Sequence, residues 1–445
     1  MTGVGKDVLQ ETGSDNVNIE GHSSFALRGD ICYSKSINSL RCIEDGYLVC
    51  EDGLSRGVFA SLPERYEDLP LIDRSDKLIV PGLVDLHMHA PQFAFRGLGM
   101  DFELLQWLES YTFPEEAKYR NLGYARKAYT AVVHDLINGP NTRSCLFATV
   151  HLPATRLLMD LLEDSGLVCL VGKVNMDRNS PAYICEESAS RSAEDTRNWL
   201  NRSKGRYKNV RPILTPRFIP TCSDELMREL ADIQKEYDLP VQSHLSESLA
   251  EIEWVRQLCP DSRSYADAYD GYGLFGGGVP TIMAHCVWSD PGEIALMRKR
   301  NVFIAHCPQS NINLTSGIAP MRRFLDLDMH AGLGSDVAGG CHSSIFRVMS
   351  DAIQVSKLRY RLVGQQDNQP LTVKEVFYLG TLGGGAFFGK VGSFEAGYEF
   401  DAVIIDDLNL GAPFPLTIEE RLSRVIYLSD DRHIAEKYVR GLRVK

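Results

Sequence analysis

The 445-residue sequence lacks features that would direct it to several classes of protein. It has no run of roughly 18 or more apolar residues, so we expect no membrane-spanning helix. Its formal net charge of −12 is opposite to the basic surface of a general nucleic-acid-binding protein. The 11 cysteines are odd in number and include no C-x-x-C pair, which disfavours a disulfide framework and favours reduced thiols. We therefore expect a cytoplasmic protein that acts on a small molecule.

Two motifs of nucleotide and nucleobase chemistry are also missing. The complete G-x-x-x-x-G-K-[S/T] phosphate loop is absent, because Val391 follows Lys390, so Gly383-Gly-Gly385 indicates close helix packing and not phosphate binding. The P-C-x-x-C element of one zinc deaminase architecture is absent too, which disfavours that route to deamination.

The first 78 residues have the texture of a small β domain. Residues 1–18 are polar and lack an apolar core, which predicts a frayed tail and not a secretory signal. Short strand-like runs follow, with candidate turns at Gly29-Asp30, Asp45-Gly46 and Asp52-Gly53.

Residues 79–388 alternate short apolar runs with amphipathic segments. This alternation predicts a parallel sheet, and its length suits a (β/α)8 barrel. Residues 389–445 return to strand texture. We therefore predict an α/β fold in which a TIM-like barrel carries a smaller β-sandwich domain built from both termini.

The most informative motif is Pro81-Gly-Leu-Val-Asp-Leu-His-Met-His89, an apolar run that ends in two histidines. Side chains at i and i+2 of a strand point to the same face, so His87 and His89 could share one ion. In a barrel, the carboxyl ends of the strands are where active sites form. Taken alone, such a pair could also be a surface or core pair.

Three more segments with candidate functional residues follow short apolar runs. His244 precedes Glu247 by three residues, although Glu247 alone would be typical of a helix start. His285 ends another run, and Asp336 lies in a glycine-rich loop where an isolated aspartate is usually a turn residue. Their shared position makes the combination more informative than any one of them, and it leaves room for a water on zinc. The predicted metal ligands are His87, His89, His244 and Asp336.

These stretches resemble the amidohydrolase superfamily of metal-dependent hydrolases. Within it, further segments are similar to the guanine deaminases, from about residue 75 to the C-terminus. Those segments are His89-Ala-Pro-Gln92, Trp107-Leu-Glu-Ser-Tyr-Thr-Phe-Pro-Glu115, Thr215-Pro-Arg-Phe218, Ala305-His-Cys-Pro-Gln-Ser-Asn311 and Asp336-Val-Ala-Gly-Gly340.

The resemblance implies a reaction and a cofactor. One zinc ion per chain would lower the pKa of a bound water, and the resulting hydroxide would attack C2 of guanine to give xanthine and ammonia. Asp336 would also carry the proton of the water to the leaving amine, Glu247 would protonate N3, and His285 would hydrogen-bond the hydroxide. The resemblance further implies a homodimer.

The same resemblance assigns contacts to the purine. Gln92 offers an amide donor and acceptor, Arg217 a fork of donors, and Phe218 a ring for stacking. Without the resemblance, a surface ion pair for Arg217 and plain core packing for Phe218 would be preferred. The predicted substrate-binding residues are Gln92, Arg217, Phe218, His244, Glu247 and Asp336.

One segment departs from the family pattern. Asn138-Gly-Pro-Asn-Thr142 stands where the family usually has a sequence close to Asn-Gly-Thr-Thr-Thr. Its proline fixes φ and removes a donor, so it could shift the start of a barrel strand without touching a ligand. Six further histidines are not assigned as ligands, and His151 stays open between lining the pocket and ordinary packing. They are His22, His134, His151, His306, His330 and His342.

Three alternatives stay open. The ligand set binds iron as well as zinc. The pocket could deaminate another aminated heterocycle, or hydrolyse a halogenated or amide ring. A scaffold that has lost catalysis is the third, but such a protein should also have lost metal ligands, and the ligands are present.

Overall fold

The computed structural model describes residues 24–365 and 368–445. The tail predicted over residues 1–18, and His22, lie outside the described residues. The strands are β1 (Phe25–Ser36), β2 (Ser39–Glu51), β3 (Leu54–Phe59), β4 (Leu71–Pro81), β5 (Leu83–His89), β6 (Asn141–Phe147), β7 (Val168–Gly172), β8 (Val174–Asn175), β9 (Val210–Pro212), β10 (Thr215–Pro216), β11 (Val241–Leu245), β12 (Thr281–His285), β13 (Phe303–His306), β14 (Ala331–Leu333), β15 (Ala402–Ile405), β16 (Ile434–Val439) and β17 (Leu442–Arg443).

The α-helices lie mostly between the strands of the central part of the chain. They are α1 (Leu104–Trp107), α2 (Phe113–Ala117), α3 (Leu122–Asn138), α4 (Leu152–Ser165), α5 (Ala189–Ser203), α6 (Asp224–Tyr237), α7 (Leu249–Leu258), α8 (Tyr265–Gly271), α9 (Pro291–Arg300), α10 (Pro308–Asn313), α11 (Met321–Asp326), α12 (Ile345–Leu362), α13 (Val373–Tyr378) and α14 (Ile418–Leu428). Within the described ranges, no helix is both long and apolar enough to cross a bilayer.

One seven-stranded sheet combines strands from both ends of the chain, in the order β17-β16-β15-β4-β1-β2-β3. β4 pairs in parallel with β1 and antiparallel with β15, so it joins the N-terminal and C-terminal strands. Aromatic side chains pack across this junction, and the ring of Phe25 lies 5.3 Å from the rings of Phe400 and Tyr438. The predicted domain boundaries and the sandwich form remain predictions.

Two of the three predicted turns in this sheet are wrong. Asp52-Gly53 does connect β2 to β3, but Gly29-Asp30 lies inside β1 and Asp45-Gly46 lies inside β2. Gly29 and Gly46 face each other across the two strands where the register shifts. Glycine and aspartate are suited to such a β-bulge for the same reason that they are suited to a turn, because both tolerate unusual backbone angles.

Two parallel four-stranded sheets, β5-β6-β7-β9 and β11-β12-β13-β14, contain the apolar runs predicted as strands. Backbone hydrogen bonds join their edges: Gln242 donates to the carbonyl of Leu214 at 2.9 Å, and Asp336 to that of His87 at 2.8 Å. Helices separate successive strands, which confirms the predicted α/β class. Ser223 caps α6 through a hydrogen bond to the amide of Leu226, as its sequence predicts.

The segment that departs from the family pattern connects α3 to β6. Pro140 lies between them, and its carbonyl accepts the amide of Leu83 at 3.3 Å. Proline has no backbone N–H that would need an acceptor. β6 therefore begins next to β5 without loss of a sheet hydrogen bond.

Candidate active site

The carboxyl ends of the parallel strands carry the chemical groups of the site. β5 ends in His87-Met-His89, His244 lies near the end of β11, His285 ends β12, and Asp336 follows β14. The carboxyl ends of neighbouring parallel strands lie at the same edge of a sheet. Side chains at these ends therefore come close together even when they are far apart in sequence. His87, His89, His285 and Asp336 are buried, and His244 is partly buried.

Ligand atoms of the four predicted metal-binding residues lie close to one another. Nε2 of His89 is 3.1 Å from Nε2 of His244, and Oδ1 of Asp336 is 3.1 Å from Nε2 of His87 and 3.5 Å from Nε2 of His89. Potential ligand atoms of His87, His89 and His244 lie within 4.8 Å of one another, as do those of His87, His285 and Asp336. The structure therefore brings together the residues that the sequence analysis selected.

The state of these nitrogens fits a divalent cation. His244 donates from Nδ1 to the carbonyl of Arg217 at 2.7 Å, so its Nε2 presents a lone pair to the cluster. Burial is the main cause, and the neighbouring His87 the second, that lowers the pKa of both His89 and His244 well below the ordinary value. Both imidazoles are therefore kept neutral. Among the described residues, neither ring nitrogen of His87 has a partner in hydrogen-bond geometry, although Nε2 lies 3.1 Å from Oδ1 of Asp336, and a metal ion would satisfy this arrangement.

Asp336 is held as an anion by its surroundings. Burial alone would raise its pKa, but interaction with His87, and then with His285 and His89, holds that pKa below its usual range. Its backbone adopts a φ of 44°, and its amide donates to the carbonyl of His87. The carboxylate is thus directed at the three histidines.

Asp85 is a supporting residue of this loop that the sequence analysis quoted only as part of a motif. Its carboxylate accepts the amide of His87 at 3.1 Å, and the amide and hydroxyl of Ser335 at 3.0 and 2.6 Å. It therefore ties the end of β5 to the residue before Asp336. The partners are about 250 residues apart in sequence, so no local pattern could have shown the link.

Glu247 and His285 form the second half of the site. Nε2 of His285 lies 3.4 Å from Oε2 of Glu247 and 3.7 Å from Oδ2 of Asp336. Burial, and then the charge of Asp336, raises the pKa of Glu247 well above the ordinary value and so favours its protonated form. Ser316 donates to Glu247 at 3.1 Å and fixes the carboxyl group.

A cavity opens onto these groups. Gln92, Arg217 and Phe218 line it together with the predicted ligands His89, His244 and Asp336 and with Glu247 and His285. Its apolar lining includes Leu104, Trp107, Leu108 and Leu314. This combination of apolar side chains and a few polar groups suits a small heterocyclic ligand.

Arg217 is buried, so the interpretation as a surface ion pair is wrong. Its Nη1 donates to Oε2 of Glu116 at 2.7 Å, and Oε1 of Glu116 accepts Nε2 of Gln92 at 2.9 Å. Neither Glu115 nor Glu116 was given a role from the sequence, and Glu115 contacts Lys118 and Tyr124. Two adjacent glutamates after a helix-starting proline were the available signal, but they do not reveal which one faces the pocket.

None of the unassigned histidines in the described residues belongs to the groups that could hold a metal ion. His306 is buried on β13, where burial lowers its pKa to about 3, and neither ring nitrogen has a hydrogen-bond partner among the described residues. His330 stacks on Phe303, and His134 contacts Asn138. His151 is absent from the residues that line the cavity, which favours ordinary packing for it.

Comparison with known proteins agrees with this geometry. A model of the amidohydrolase family matches residues 78–444. The chain belongs to the amidohydrolase family. A guanine deaminase from Dictyostelium discoideum is 36% identical to this amidohydrolase, and the match covers 94% of this chain and 98% of the relative. The guanine deaminase from Homo sapiens is 38% identical over 83% of each chain.

A solved structure of a relative extends the comparison to three dimensions. The crystal structure of guanine deaminase from C. acetobutylicum, with guanine bound in its active site, has a TM-score of 0.92 to this amidohydrolase and 45% sequence identity. The match covers 95% of this chain and 100% of that one. The resemblance on which the sequence analysis rested is therefore confirmed.

Proposed function

We propose that this amidohydrolase catalyses the hydrolytic deamination of guanine to xanthine and ammonia. The observation that carries the proposal is the buried cluster of metal-binding groups at the base of a cavity whose wall holds Gln92, Arg217 and Phe218. The guanine-bound structure of a 45% identical relative supports guanine as the ring.

We propose His87, His89, His244 and Asp336 as the residues that would hold one zinc ion. Three neutral imidazoles and one carboxylate are ligands that zinc favours, and they leave a position for water. The ion, when bound, supplies Lewis acidity that lowers the pKa of that water. Iron remains the alternative, since the same ligands accept it.

The chain's own residues then handle the protons. Asp336 would accept the proton of the attacking water and deliver it to the amine that leaves from C2. Glu247, whose protonated form is favoured by burial, would donate its proton to N3 of the ring, and it would recover a proton from the new hydroxyl on C2 when that group becomes the carbonyl of xanthine. When both of its ring nitrogens carry protons, His285 would donate a hydrogen bond from Nε2 to the attacking oxygen and stabilise the charge that develops there.

Three residues would bind and orient the purine. Gln92 and Arg217 are held by Glu116 and would present their remaining donors and acceptors to the edge of the ring. The ring of Phe218 lies 6.3 Å from that of His244, where a planar base could stack. His244, Glu247 and Asp336 would contact the same substrate from the base of the cavity.

The finer architecture is part of the same proposal. We infer that the eight parallel strands close into a (β/α)8 barrel, supported by the hydrogen bonds that join both pairs of sheet edges. Residues 1–78 and 389–445 would form the smaller domain, and 79–388 the barrel. A homodimer and a cytoplasmic location remain predictions from the family resemblance.

A substrate panel tests this proposal. Purified chain supplied with zinc should release ammonia from guanine and form xanthine, with far lower turnover of adenine, cytosine and 8-oxoguanine. Turnover of another ring without turnover of guanine would contradict the proposal and favour the alternative of a different heterocycle. Absence of any turnover from a chain that binds no metal would favour the scaffold.

A further inference from the structure

We infer that Glu116 is a positioning residue that sets both the orientation of the Gln92 amide and the net charge presented by Arg217, and thereby selects a neutral ring. The inference rests on the proposed function. Glu116 lies on α2 and is only 1% exposed, yet it is absent from the residues that line the cavity. It stands directly behind the wall and acts through its two partners.

The first partner is fixed by geometry. Nε2 of Gln92 donates to Oε1 of Glu116 at 2.9 Å, while Oε1 of Gln92 accepts the amide of Ala338 at 3.3 Å. A carboxylate can only accept and a backbone N–H can only donate, so the amide has one favourable orientation. Glu116 therefore decides which amide atom Gln92 offers to the edge of the purine.

The second partner is fixed by charge. Arg217 donates to the other oxygen of Glu116 at 2.7 Å, and both side chains are buried. Among the residues that the structure describes, no other carboxylate pairs with Arg217. The pair is neutral overall, so the cavity wall offers hydrogen bonds without an excess positive charge. A guanidinium without that carboxylate would attract anionic rings.

Replacement of Glu116 by glutamine should expose both roles. An amide of the same shape has only one acceptor oxygen, and its N–H₂ group would face either the Gln92 donor or the Arg217 donor. One of the two partners would then lose its orientation, and the positive charge of Arg217 would be uncompensated.

The neighbouring glutamate supplies a matched control. Glu115 lies on the same helix and is also buried, but its carboxylate contacts Lys118 and Tyr124 and does not reach Gln92 or Arg217. Glu115→Gln removes the same charge from the same helix without disturbing the cavity wall. Glu116→Asp keeps the charge and shortens the reach.

The test compares kinetics and inhibition in the zinc-loaded protein. We expect Glu116→Gln to raise KM for guanine roughly 10- to 100-fold with a much smaller change in kcat. Urate, a purine that is anionic at neutral pH, should inhibit this variant at least about fivefold more strongly than it inhibits the parent. Glu116→Asp should restore the weak urate inhibition but keep a raised KM, and Glu115→Gln should change neither quantity.

Several outcomes would overturn the inference. Unchanged KM and urate inhibition in Glu116→Gln, or weaker binding of both ligands, would show that Glu116 does not set charge selectivity. If Glu116→Gln does not fold, a Glu116→Asp protein with the parent's KM would contradict the positioning role. A parent protein that does not turn over guanine would overturn the proposed function itself, which separates the two failures.

Discussion

Asn311 holds His285 in place through a hydrogen bond of 2.8 Å from Nδ1 of the histidine to Oδ1 of the amide. Because the amide oxygen accepts the hydrogen bond from Nδ1, the ring is oriented so that Nε2 of His285 faces the carboxyl groups of Glu247 and Asp336. His285 also has a φ of 75°, an unfavourable backbone angle that the surrounding structure must maintain. The orientation of this ring is therefore a built feature of the site.

Loss of the Asn311 contact should reduce turnover without removing the metal. Asn311→Leu leaves Nδ1 of His285 without its acceptor, so we expect kcat to fall about 10- to 100-fold. Asn311→Asp keeps an acceptor oxygen at the same place and should lose much less. Steady-state kinetics with a metal count would check this, and equal activity of the leucine and parent proteins would contradict it.

Glu247 should be indispensable as a proton donor. Glu247→Gln keeps the shape of the side chain but cannot give up a proton, so kcat should fall by roughly 10² to 10⁴. Ser316→Ala removes only the hydrogen bond to that carboxyl group and should have a smaller effect. Bound metal should stay unchanged in both variants. A glutamine variant that retains most of the parent kcat would exclude Glu247 from proton transfer.

Glu251 should make stability depend on pH. Burial, and then the charge of Glu247, raises its pKa from 4.5 to about 7. Between these two pH values the folded chain retains a proton that the unfolded chain releases. The contribution of Glu251 to the free energy of unfolding is therefore full below about pH 4.5 and is lost as pH rises to about 7. The loss amounts to as much as about 3 kcal/mol.

Urea unfolding at several pH values checks this linkage. The free energy of unfolding of the parent, minus that of Glu251→Gln, should decrease from about pH 5 to about pH 7 and then stay level. The glutamine can still accept the amides of Glu247 and Ser248, so the subtraction isolates the proton. A difference that rises with pH over this interval would show the opposite sign and contradict the assignment.

The clustering of the proposed metal ligands could be predicted because each one is encoded locally. His87, His89, His244 and Asp336 each follow a short apolar run, and the parallel arrangement of those strands brings their ends together. The order of strands and helices followed for the same reason, since apolar periodicity and helix caps such as Ser223 act over a few residues.

The supporting contacts could not be predicted because their partners are distant in sequence. Gln92 and Glu116 are 24 residues apart, and Glu116 and Arg217 are 101 residues apart. The bulge at Gly29 and Gly46 was missed for another reason. Glycine and aspartate tolerate the same backbone angles in a turn and in a strand irregularity, so composition alone does not separate them.

Lys437 should contribute to stability and not to catalysis. Its buried ammonium donates to the carbonyls of Leu136, Gly139 and Asn141 at 2.6, 2.8 and 3.1 Å, where α3 ends. Lys437→Met leaves these carbonyls without that donor, so we expect the free energy of unfolding to fall by roughly 3 kcal/mol.

An exposed lysine provides the comparison for Lys437. Lys374 pairs with Glu419 at the surface, and Lys374→Met should change stability by less than about 0.5 kcal/mol. Urea unfolding of the two variants distinguishes them, and KM for guanine should stay near the parent value in both. Equal stability of the two methionine variants would contradict the capping role.

The central claim is that guanine deamination depends on the cluster formed by His87, His89, His244 and Asp336. The most direct measurement titrates metal-depleted chain with zinc and follows bound metal and ammonia release from guanine on the same samples. We predict that both rise together and reach their plateau at one zinc per chain, and that His87→Ala shows neither. Full turnover of guanine by chain without bound metal, or a zinc-loaded chain that leaves guanine unchanged, would contradict the account.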